Sequence, residues 1–181
     1  MAEFNIGQVK EIGSSGKAWM GYNSRNIADL LFEELEKAQN SIQISSFSTG
    51  NDTDVMNRFF DLLEKKLKDT TFEISMIVND DGKKNSHNAF AKKKINELKH
   101  KKPEQFFSQF FQQTKVGNLN KILHAKLVVI DGTTALIGSA NLSKGALESN
   151  YEIMLKVTGK VAVDLSQMLH KLSSEIERKT A

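Results

Sequence analysis

Hydrophobic residues in the first half of the chain follow the spacing of helices and strands in turn. Two stretches place apolar side chains three and four residues apart, which predicts amphipathic helices over residues 24–40 and 54–69, the first with Ser24 as its N-cap. Each helix is followed by a short run of β-forming residues, 41–47 and 72–78, that predicts a strand. This half therefore has a β-α-β order.

The middle of the chain begins with two further predicted helices. A lysine-rich segment is predicted to be helical from about residue 85 to residue 99. The next segment, "PEQFFSQFFQQ", is predicted to be a helix with Pro103 in its first turn. Its apolar face consists of Phe106, Phe107, Phe110 and Phe111. We expect this face to be buried in the chain's own core, and a subunit interface is the alternative.

From residue 122 onwards the pattern is that of strands. Residues 122–131 form a β-rich run, Asp131-Gly132 is a hairpin signal, and residues 133–138 form the returning strand. A helix is expected after Asn141, then a strand over 151–157, and a final helix that Asp164 and Gln167 open as a capping pair. Interleaved helices and strands with a hairpin among them predict an α/β fold, in which a mixed β-sheet is flanked by helices.

The composition is that of a globular protein. At 181 residues, with 39% hydrophobic residues and one proline, the chain is expected to form a single domain over residues 1–181, in which the order of residues 1–23 stays open. The absence of cysteine excludes disulfide scaffolds, thiol catalysis and cysteine-ligated zinc. No apolar stretch reaches the roughly 18 residues of a spanning helix, so we expect a soluble, cytoplasmic protein with no membrane association.

Positive charge is concentrated in one region of the sequence. The net charge is only +3, yet residues 83–102 contain eight lysines and one glutamate. A polyanion such as nucleic acid is the expected partner, although a solvated lysine-rich helix is an alternative interpretation. The lysines expected to bind nucleic acid are Lys83, Lys84, Lys92, Lys93, Lys94 and Lys144.

Candidate chemistry begins with the pair His124 and Lys126. Side chains alternate along a strand, so these two residues are expected on one face. A histidine acts as a nucleophile or as an acid and base near neutral pH, and a neighbouring lysine supplies a fixed charge for a phosphoryl oxygen. The hairpin is expected to bring Gly138, Ser139 and Asn141 back beside His124, which completes a phosphate cradle.

The whole spacing resembles the HKD signature of the phospholipase D superfamily. The residues that match are His124-x-Lys126-x4-Asp131-x6-Gly138-Ser139-x-Asn141. The later "NYE", residues 150–152, resembles the asparagine and glutamate that commonly follow the signature, and "SIQISSFST" resembles the family's early strand. The resemblance implies a phospholipase D-like fold with one HKD motif per chain.

The resemblance also implies a role for each matching residue. His124 would be the nucleophile that forms a phosphohistidine, and the groups holding the non-bridging oxygens would be Lys126, Ser139 and Asn141. Glu152 would orient and polarise His124. Asp131 matches the signature's aspartate but lies beyond the strand, where we expect it to secure local structure. Neither a metal nor a cofactor is needed in this scheme.

The single motif has a consequence for assembly. The family's chemistry uses two such motifs, since one histidine attacks phosphorus while the other protonates the leaving oxygen. None of His87, His100 and His170 lies in a second H-x-K. Resemblance to the short, single-motif nucleases of the superfamily therefore implies a homodimer whose two copies of His124 share one active site.

These expectations define one leading function and two alternatives. The leading one is a metal-independent phosphodiesterase, an endonuclease that cleaves DNA or RNA through a covalent phosphohistidine and tracks the backbone without reading bases. Sequence recognition would then need a partner chain. The alternatives are a phospholipid phosphodiesterase or phosphatidyl transferase, and a nucleic-acid-binding module without turnover.

Overall fold

The described part of the chain is an α/β fold with ten strands. The computed structural model describes residues 7–19, 23–80, 82, 88–116 and 119–180. In these residues the strands are β1 (Gln8–Ser14), β2 (Arg25–Asn26), β3 (Ser41–Ser46), β4 (Glu73–Asp80), β5 (Phe106–Gln112), β6 (Thr114–Val116), β7 (Leu119–Lys121), β8 (Leu127–Ile130), β9 (Thr134–Gly138) and β10 (Ile153–Thr158).

Four α-helices are present in the described part of the chain. They are α1 (Ile27–Lys37), α2 (Asp54–Lys66), α3 (Ala89–Lys101) and α4 (Lys160–Thr180). A short 3₁₀ turn spans Lys17–Trp19, and a π-helical turn spans Gly145–Ser149. None of the described helices is both long enough and apolar enough to cross a membrane.

Eight of the strands form one mixed sheet. Their order is β2-β1-β10-β9-β8-β3-β4-β5, while β6 and β7 form a separate two-stranded ribbon. Strands β3, β4 and β5 are parallel, and β8, β9 and β10 continue the sheet in antiparallel fashion. As a result β3, β4, β5 and β9 end at the same edge at which β8 and β10 begin. We call this the upper edge, and the opposite edge the lower edge.

Apolar side chains cover both faces of the sheet. One face packs against α1, α2 and α3, in a core that includes Leu31, Phe59 and Ile44, all at most 1% exposed. The other face packs against α4 in a smaller cluster around Val129 and Leu169. The predicted α/β fold with a mixed sheet flanked by helices is confirmed.

The segment after α3 differs from its prediction. Residues 106–112 form strand β5, parallel to β4, where a helix was expected. Phe106 is fully buried, whereas Phe107 points to the other face and is 48% exposed. Four phenylalanines in two adjacent pairs fit the spacing of a helix and that of a strand. The open edge of β4 favours the strand, because it offers backbone hydrogen-bond partners to this segment.

Helix starts differ from their predictions by several residues. Asn26, and not Ser24, caps α1, since its side chain accepts hydrogen bonds from the backbone N–H groups of Ala28 and Asp29. Helix α4 begins at Lys160, so Asp164 lies inside it and forms an ion pair with Lys160. After Asn141 the chain forms only the π-helical turn. Helix α3 is described from Ala89 onwards.

Candidate active site

His124 and Lys126 lie at the upper edge, immediately before β8. The predicted strand over 122–131 is shorter than expected, because pairing with β3 extends only from Leu127 to Ile130. The two side chains nevertheless meet, since the Lys126 Nζ lies 3.0 Å from each ring nitrogen of His124. The same ammonium donates to the His124 carbonyl oxygen at 2.8 Å. His124 itself is exposed, and its ring is therefore open to a substrate.

Lys126 is a buried cation whose charge is only partly offset. Its residue is 9% exposed, and no carboxylate of the described residues lies within ion-pair distance of it. Burial lowers the pKa of Lys126, and the charge of Glu152 opposes that shift. A desolvated ammonium without an ion-pair partner favours the approach of an anion.

The hairpin of β8 and β9 brings the second half of the signature to this edge. The backbone N–H of Gly138 lies 3.4 Å from the Lys126 carbonyl oxygen. A Cβ atom at Gly138 would lie 2.0 Å from the Ile153 carbonyl oxygen, so a side chain does not fit there. Asn141 follows in the loop, and its buried Oδ1 has no hydrogen-bond partner in the described structure. This atom is an acceptor, so the group of Asn141 that could hold a phosphoryl oxygen is the Nδ2 amide.

Ser139 and Glu152 form a pair of their own. The Ser139 hydroxyl donates to Glu152 Oε2 at 2.5 Å and accepts from the Ile153 backbone N–H at 3.2 Å. Among the described residues no hydrogen bond joins Glu152 to His124, and the expected role of Glu152 in orienting His124 stays a prediction. The contact between Ser139 and Glu152 is topological: Ser139 directly follows β9 and Glu152 directly precedes β10, so strand pairing places them side by side.

Phe47, which directly follows β3, contacts both the histidine and the lysine. Its ring centroid is 4.9 Å from that of His124, and the Lys126 Nζ lies 5.4 Å from the Phe47 ring centroid. Sequence analysis did not name this residue, although the stretch "SIQISSFST" that contains it was linked to the site. Phe47 restricts the orientation of both side chains by contact.

Two asparagines that the sequence did not point to connect segments at the upper edge by hydrogen bonds. Asn88 Oδ1 accepts from the Thr49 backbone N–H at 2.8 Å, and its Nδ2 donates to the carbonyl oxygens of Phe47 and Asn79. Asn79 Oδ1 in turn accepts from the Leu123 backbone N–H at 3.0 Å. This network, which we call the asparagine clamp, connects the segment that carries His124 to the ends of β3 and β4. No local sequence signal marks either asparagine.

The site has the chemistry of an oxyanion receptor with a nucleophile. A buried ammonium and an exposed imidazole are in contact at the upper edge, and a serine hydroxyl and an asparagine amide lie at the same edge. Groups of these types bind phosphoryl oxygens and attack phosphorus. A family model described as "Cardiolipin synthase, PLD-like domain" matches residues 31–179. The chain belongs to this phospholipase D-like family.

Solved structures similar to this phospholipase D-like chain share its fold. NucT from Helicobacter pylori is 20% identical at a TM-score of 0.60, with 94% of this chain and 95% of that chain covered. Nuc from Salmonella typhimurium, a phospholipase D family member, is 18% identical at a TM-score of 0.58, with 91% and 93% covered. Phosphatidylserine synthase from Haemophilus influenzae is 13% identical at a TM-score of 0.62, with 90% of this chain but 37% of the synthase covered. A comparison with curated proteins gave no significant match.

Asp131, the third residue of the HKD spacing, lies at the lower edge. It follows β8 with φ at +51°, and its carboxylate accepts backbone N–H groups from Gln39, Asn40 and Ser41 at 2.7 to 3.2 Å. The whole length of β8, roughly 13 Å for four residues, separates it from Lys126. The carboxylate therefore fastens the α1–β3 connection and makes no contact with the HKD histidine.

The lysines expected to bind nucleic acid differ in their surroundings. Lys83 and Lys84 lie outside the described residues. Lys92 forms an ion pair with Asp80 at 2.5 Å. Although burial raises the pKa of Asp80, hydrogen bonds from Lys92, the Gly82 backbone N–H and Gln112 hold that pKa below its usual value. Lys94 is half-buried with its Nζ 5.9 Å from the Phe90 ring centroid, whereas Lys93 and Lys144 are exposed.

Proposed function

We propose that this protein is a metal-independent phosphodiesterase that cleaves nucleic acid as an endonuclease. The observation that carries the proposal is the contact between the buried Lys126 ammonium, which has no ion-pair partner among the described residues, and the exposed His124 imidazole. A scissile phosphate diester brings the negative charge that this ammonium favours, and it places phosphorus next to the ring.

His124 is the nucleophile in the proposed reaction. A ring nitrogen attacks phosphorus, so an N–P bond forms while the P–O bond to the leaving group breaks. The leaving oxygen takes up a proton and departs as an alcohol. Water then attacks phosphorus, the N–P bond breaks, and the histidine is restored with a phosphate monoester as the second product. Lys126 holds a non-bridging oxygen through both steps. Ser139 donates to a second one when its hydroxyl turns from Glu152 to the phosphate, and Asn141 donates through its Nδ2.

A second copy of the chain supplies the acid for the leaving group. His100 lies in the last turn of α3 and His170 on α4, where its ring contacts Gln43, so neither of these two is at the His124 site. His87 lies outside the described residues. A homodimer with a shared active site brings a second His124 into place. One imidazole attacks while the other donates the proton.

Two features favour nucleic acid as the substrate. Exposed Lys93 and Lys144 add positive charge. Lys144 lies in the loop that follows Asn141, and Lys93 lies in the second turn of α3, the helix that begins directly after Asn88 of the asparagine clamp. Two of the similar structures, NucT and Nuc, are covered over 95% and 93% of their length, compared with 37% of phosphatidylserine synthase, and the proposal follows these two. Contacts to phosphate alone imply little sequence specificity, and a partner chain would supply any recognition.

Phosphatidyl transfer is the second candidate. The description of the matching family model names cardiolipin synthase, and one similar structure is a phosphatidylserine synthase. The same phosphohistidine chemistry serves this reaction when an alcohol replaces water in the second step.

One experiment separates these functions. Labelled single-stranded and double-stranded DNA and RNA, and vesicles of phosphatidylglycerol, are each incubated with the protein in excess EDTA. The proposal expects nucleic acid to be cleaved and His124→Ala to be inactive. Turnover of lipid alone would establish the second candidate. Binding of nucleic acid without cleavage by a folded dimer would indicate a module without turnover, and both of these results contradict the proposal.

A further inference from the structure

An aromatic pair lies beside the candidate active site and takes no part in the chemistry above. Trp19 and Tyr151 are 38% and 58% exposed, and their ring centroids are 5.3 Å apart in an edge-to-face arrangement. Tyr151 directly precedes Glu152, the residue that accepts a hydrogen bond from the Ser139 hydroxyl. The pair therefore lies at the upper edge, next to the Ser139–Glu152 contact.

The polypeptide around Tyr151 is held firmly. The Ser15 hydroxyl donates to the Asn150 carbonyl oxygen at 2.7 Å, and the Ser15 backbone N–H donates to the Glu152 carbonyl oxygen at 3.1 Å. Gly16 has φ at +88°, and a Cβ atom there would lie 2.7 Å from the tyrosine ring. The tyrosine thus packs directly on the backbone of the Gly16 turn. An exposed ring in so fixed a position is a pre-formed surface for a flat ligand.

The groove next to the pair has no charged lining. It is a shallow depression of about 240 Å³ between Ile12, Ser14, Trp19, Ser24 and Ile153. The two serine hydroxyls are 2.6 Å apart and bond to each other. Such a lining suits an apolar, planar group and offers nothing to a phosphate.

We infer that Trp19 and Tyr151 form a stacking site for an unpaired base of single-stranded nucleic acid. The inference rests on the proposed function and deepens it, since it names the substrate class. In a duplex the faces of each base are covered by neighbouring bases, whereas the bases of a single strand present free faces to aromatic side chains. The protein therefore binds and cleaves single strands in preference to duplexes.

The sequence provides a direct probe of this site, because Trp19 is the only tryptophan in the chain. His124→Ala protein, which does not consume the substrate, is titrated with a single-stranded oligothymidylate. The comparison strand has the same length and phosphates but abasic residues throughout. We expect the base-bearing strand to quench Trp19 fluorescence and to bind more tightly than the abasic strand at equal salt.

Substitutions distinguish stacking from a structural role. Tyr151→Ala should weaken binding of the base-bearing strand on the order of tenfold and leave binding of the abasic strand unchanged. Tyr151→Phe keeps the ring and should bind like the parent. Phe107→Ala removes an exposed aromatic ring from β5, at the far side of the sheet, and serves as the matched control.

Several results would overturn the inference. Equal quenching by both strands, or equal weakening of both by Tyr151→Ala, would show that no base is stacked. A change in Trp19 emission that depends on protein concentration alone would show that a second copy covers the groove. If wild-type protein cleaves single and double strands equally well without a base-dependent signal, the proposed function stands and the stacking site fails. Base-dependent quenching without any cleavage would support the stacking site and contradict the proposed nuclease function.

Discussion

Strand β8 separates two groups of polar side chains that belong to one sequence signature. At the upper edge His124 is exposed, Lys126 has no ion-pair partner among the described residues, and the buried Oδ1 of Asn141 has no hydrogen-bond partner there. At the lower edge Asp131 accepts hydrogen bonds from three consecutive backbone N–H groups. The HKD spacing therefore joins groups that are open to a ligand with a group that is fully engaged in the fold.

The difference shows how structure divides a motif that sequence presents as a unit. Buried polar groups are normally satisfied by hydrogen bonds, so a polar group without a protein partner is free to take one up from water or a ligand. A saturated carboxylate marks a structural contact instead. Substitutions on the two sides of β8 should accordingly separate loss of activity from loss of stability.

The largest expected effect is that of His124→Ala. Removal of the nucleophile should reduce cleavage by about a thousandfold or more. Because the side chain is exposed, the free energy of unfolding should change by no more than about 0.5 kcal/mol. Single-turnover hydrolysis and denaturant unfolding measure the two quantities. Cleavage within tenfold of wild type would remove His124 from the chemistry.

Lys126→Met comes second. Loss of the ammonium should lower kcat/KM by about a hundredfold. The pKa of Lys126 is lowered by burial, so between that pKa and 10.5 the unfolded chain binds more protons than the folded one. Stability of the wild type should therefore rise with pH across this window, and the methionine variant should lack the rise.

Lys126→Arg is the control for this titration. In the wild type, kcat/KM should fall on the alkaline side as Lys126 loses its proton, at a pH below the 10.5 of an ordinary lysine. Arginine stays charged, so the variant should lose this limb even if its activity is lower overall. A limb that is unchanged in the arginine variant would assign it to another group.

Disruption of the asparagine clamp should affect both properties. Asn88→Ala leaves the buried Thr49 N–H and two carbonyl oxygens without this partner, and we expect a cost of about 3 kcal/mol. Displacement of the His124 segment should slow cleavage by about tenfold in the folded fraction. Asn88→Asp keeps the acceptor but loses the donor and should lie between. A stable, fully active alanine variant would show that the clamp positions nothing.

Asp131→Ala should act on stability alone. Three backbone N–H groups at a largely exposed connection lose their acceptor, which we expect to cost about 2 kcal/mol. Asp131→Asn retains Oδ1 and tolerates the positive φ, so its cost should be smaller. Neither variant should change kcat at temperatures where it is folded. A fall in kcat without unfolding would place Asp131 in the reaction.

The smallest effects are expected from the exposed lysines. Lys93→Ala and Lys144→Ala should each raise KM a few-fold and reduce the salt dependence of binding by about one unit of slope. Lys92 is the matched control, since its charge is engaged by Asp80 and its removal should affect unfolding more than KM. Equal salt slopes in all three variants would contradict a role in phosphate binding.

Local sequence patterns predicted the elements that are defined by short-range spacing or by a turn. Helices α1 and α2 and the β8–β9 hairpin follow from apolar spacing and from the Asp131-Gly132 turn, and the hairpin brings Gly138 back to Lys126. Strand β5 could not be predicted in this way, because its pairs of phenylalanines fit a helix equally well until the edge of β4 is present.

Contacts across the upper edge depend on the assembled sheet. Asn79 and Asn88 meet only because β4 ends where α3 begins, and Ser139 meets Glu152 only because β9 pairs with β10. The sequence therefore identifies the candidate reactive residues by their types and spacing, while the residues that hold them in place become visible only in the fold.

The most direct test of the account is to detect the covalent intermediate on His124. Wild-type protein is mixed with a single-stranded oligonucleotide in EDTA, quenched in alkali within one turnover, and digested for mass spectrometry. The account predicts a phosphoryl-linked nucleotide on the peptide that contains His124, which forms and decays at the rate of turnover and is absent from His124→Ala. Product formation without this adduct, or an adduct on another residue, would contradict it.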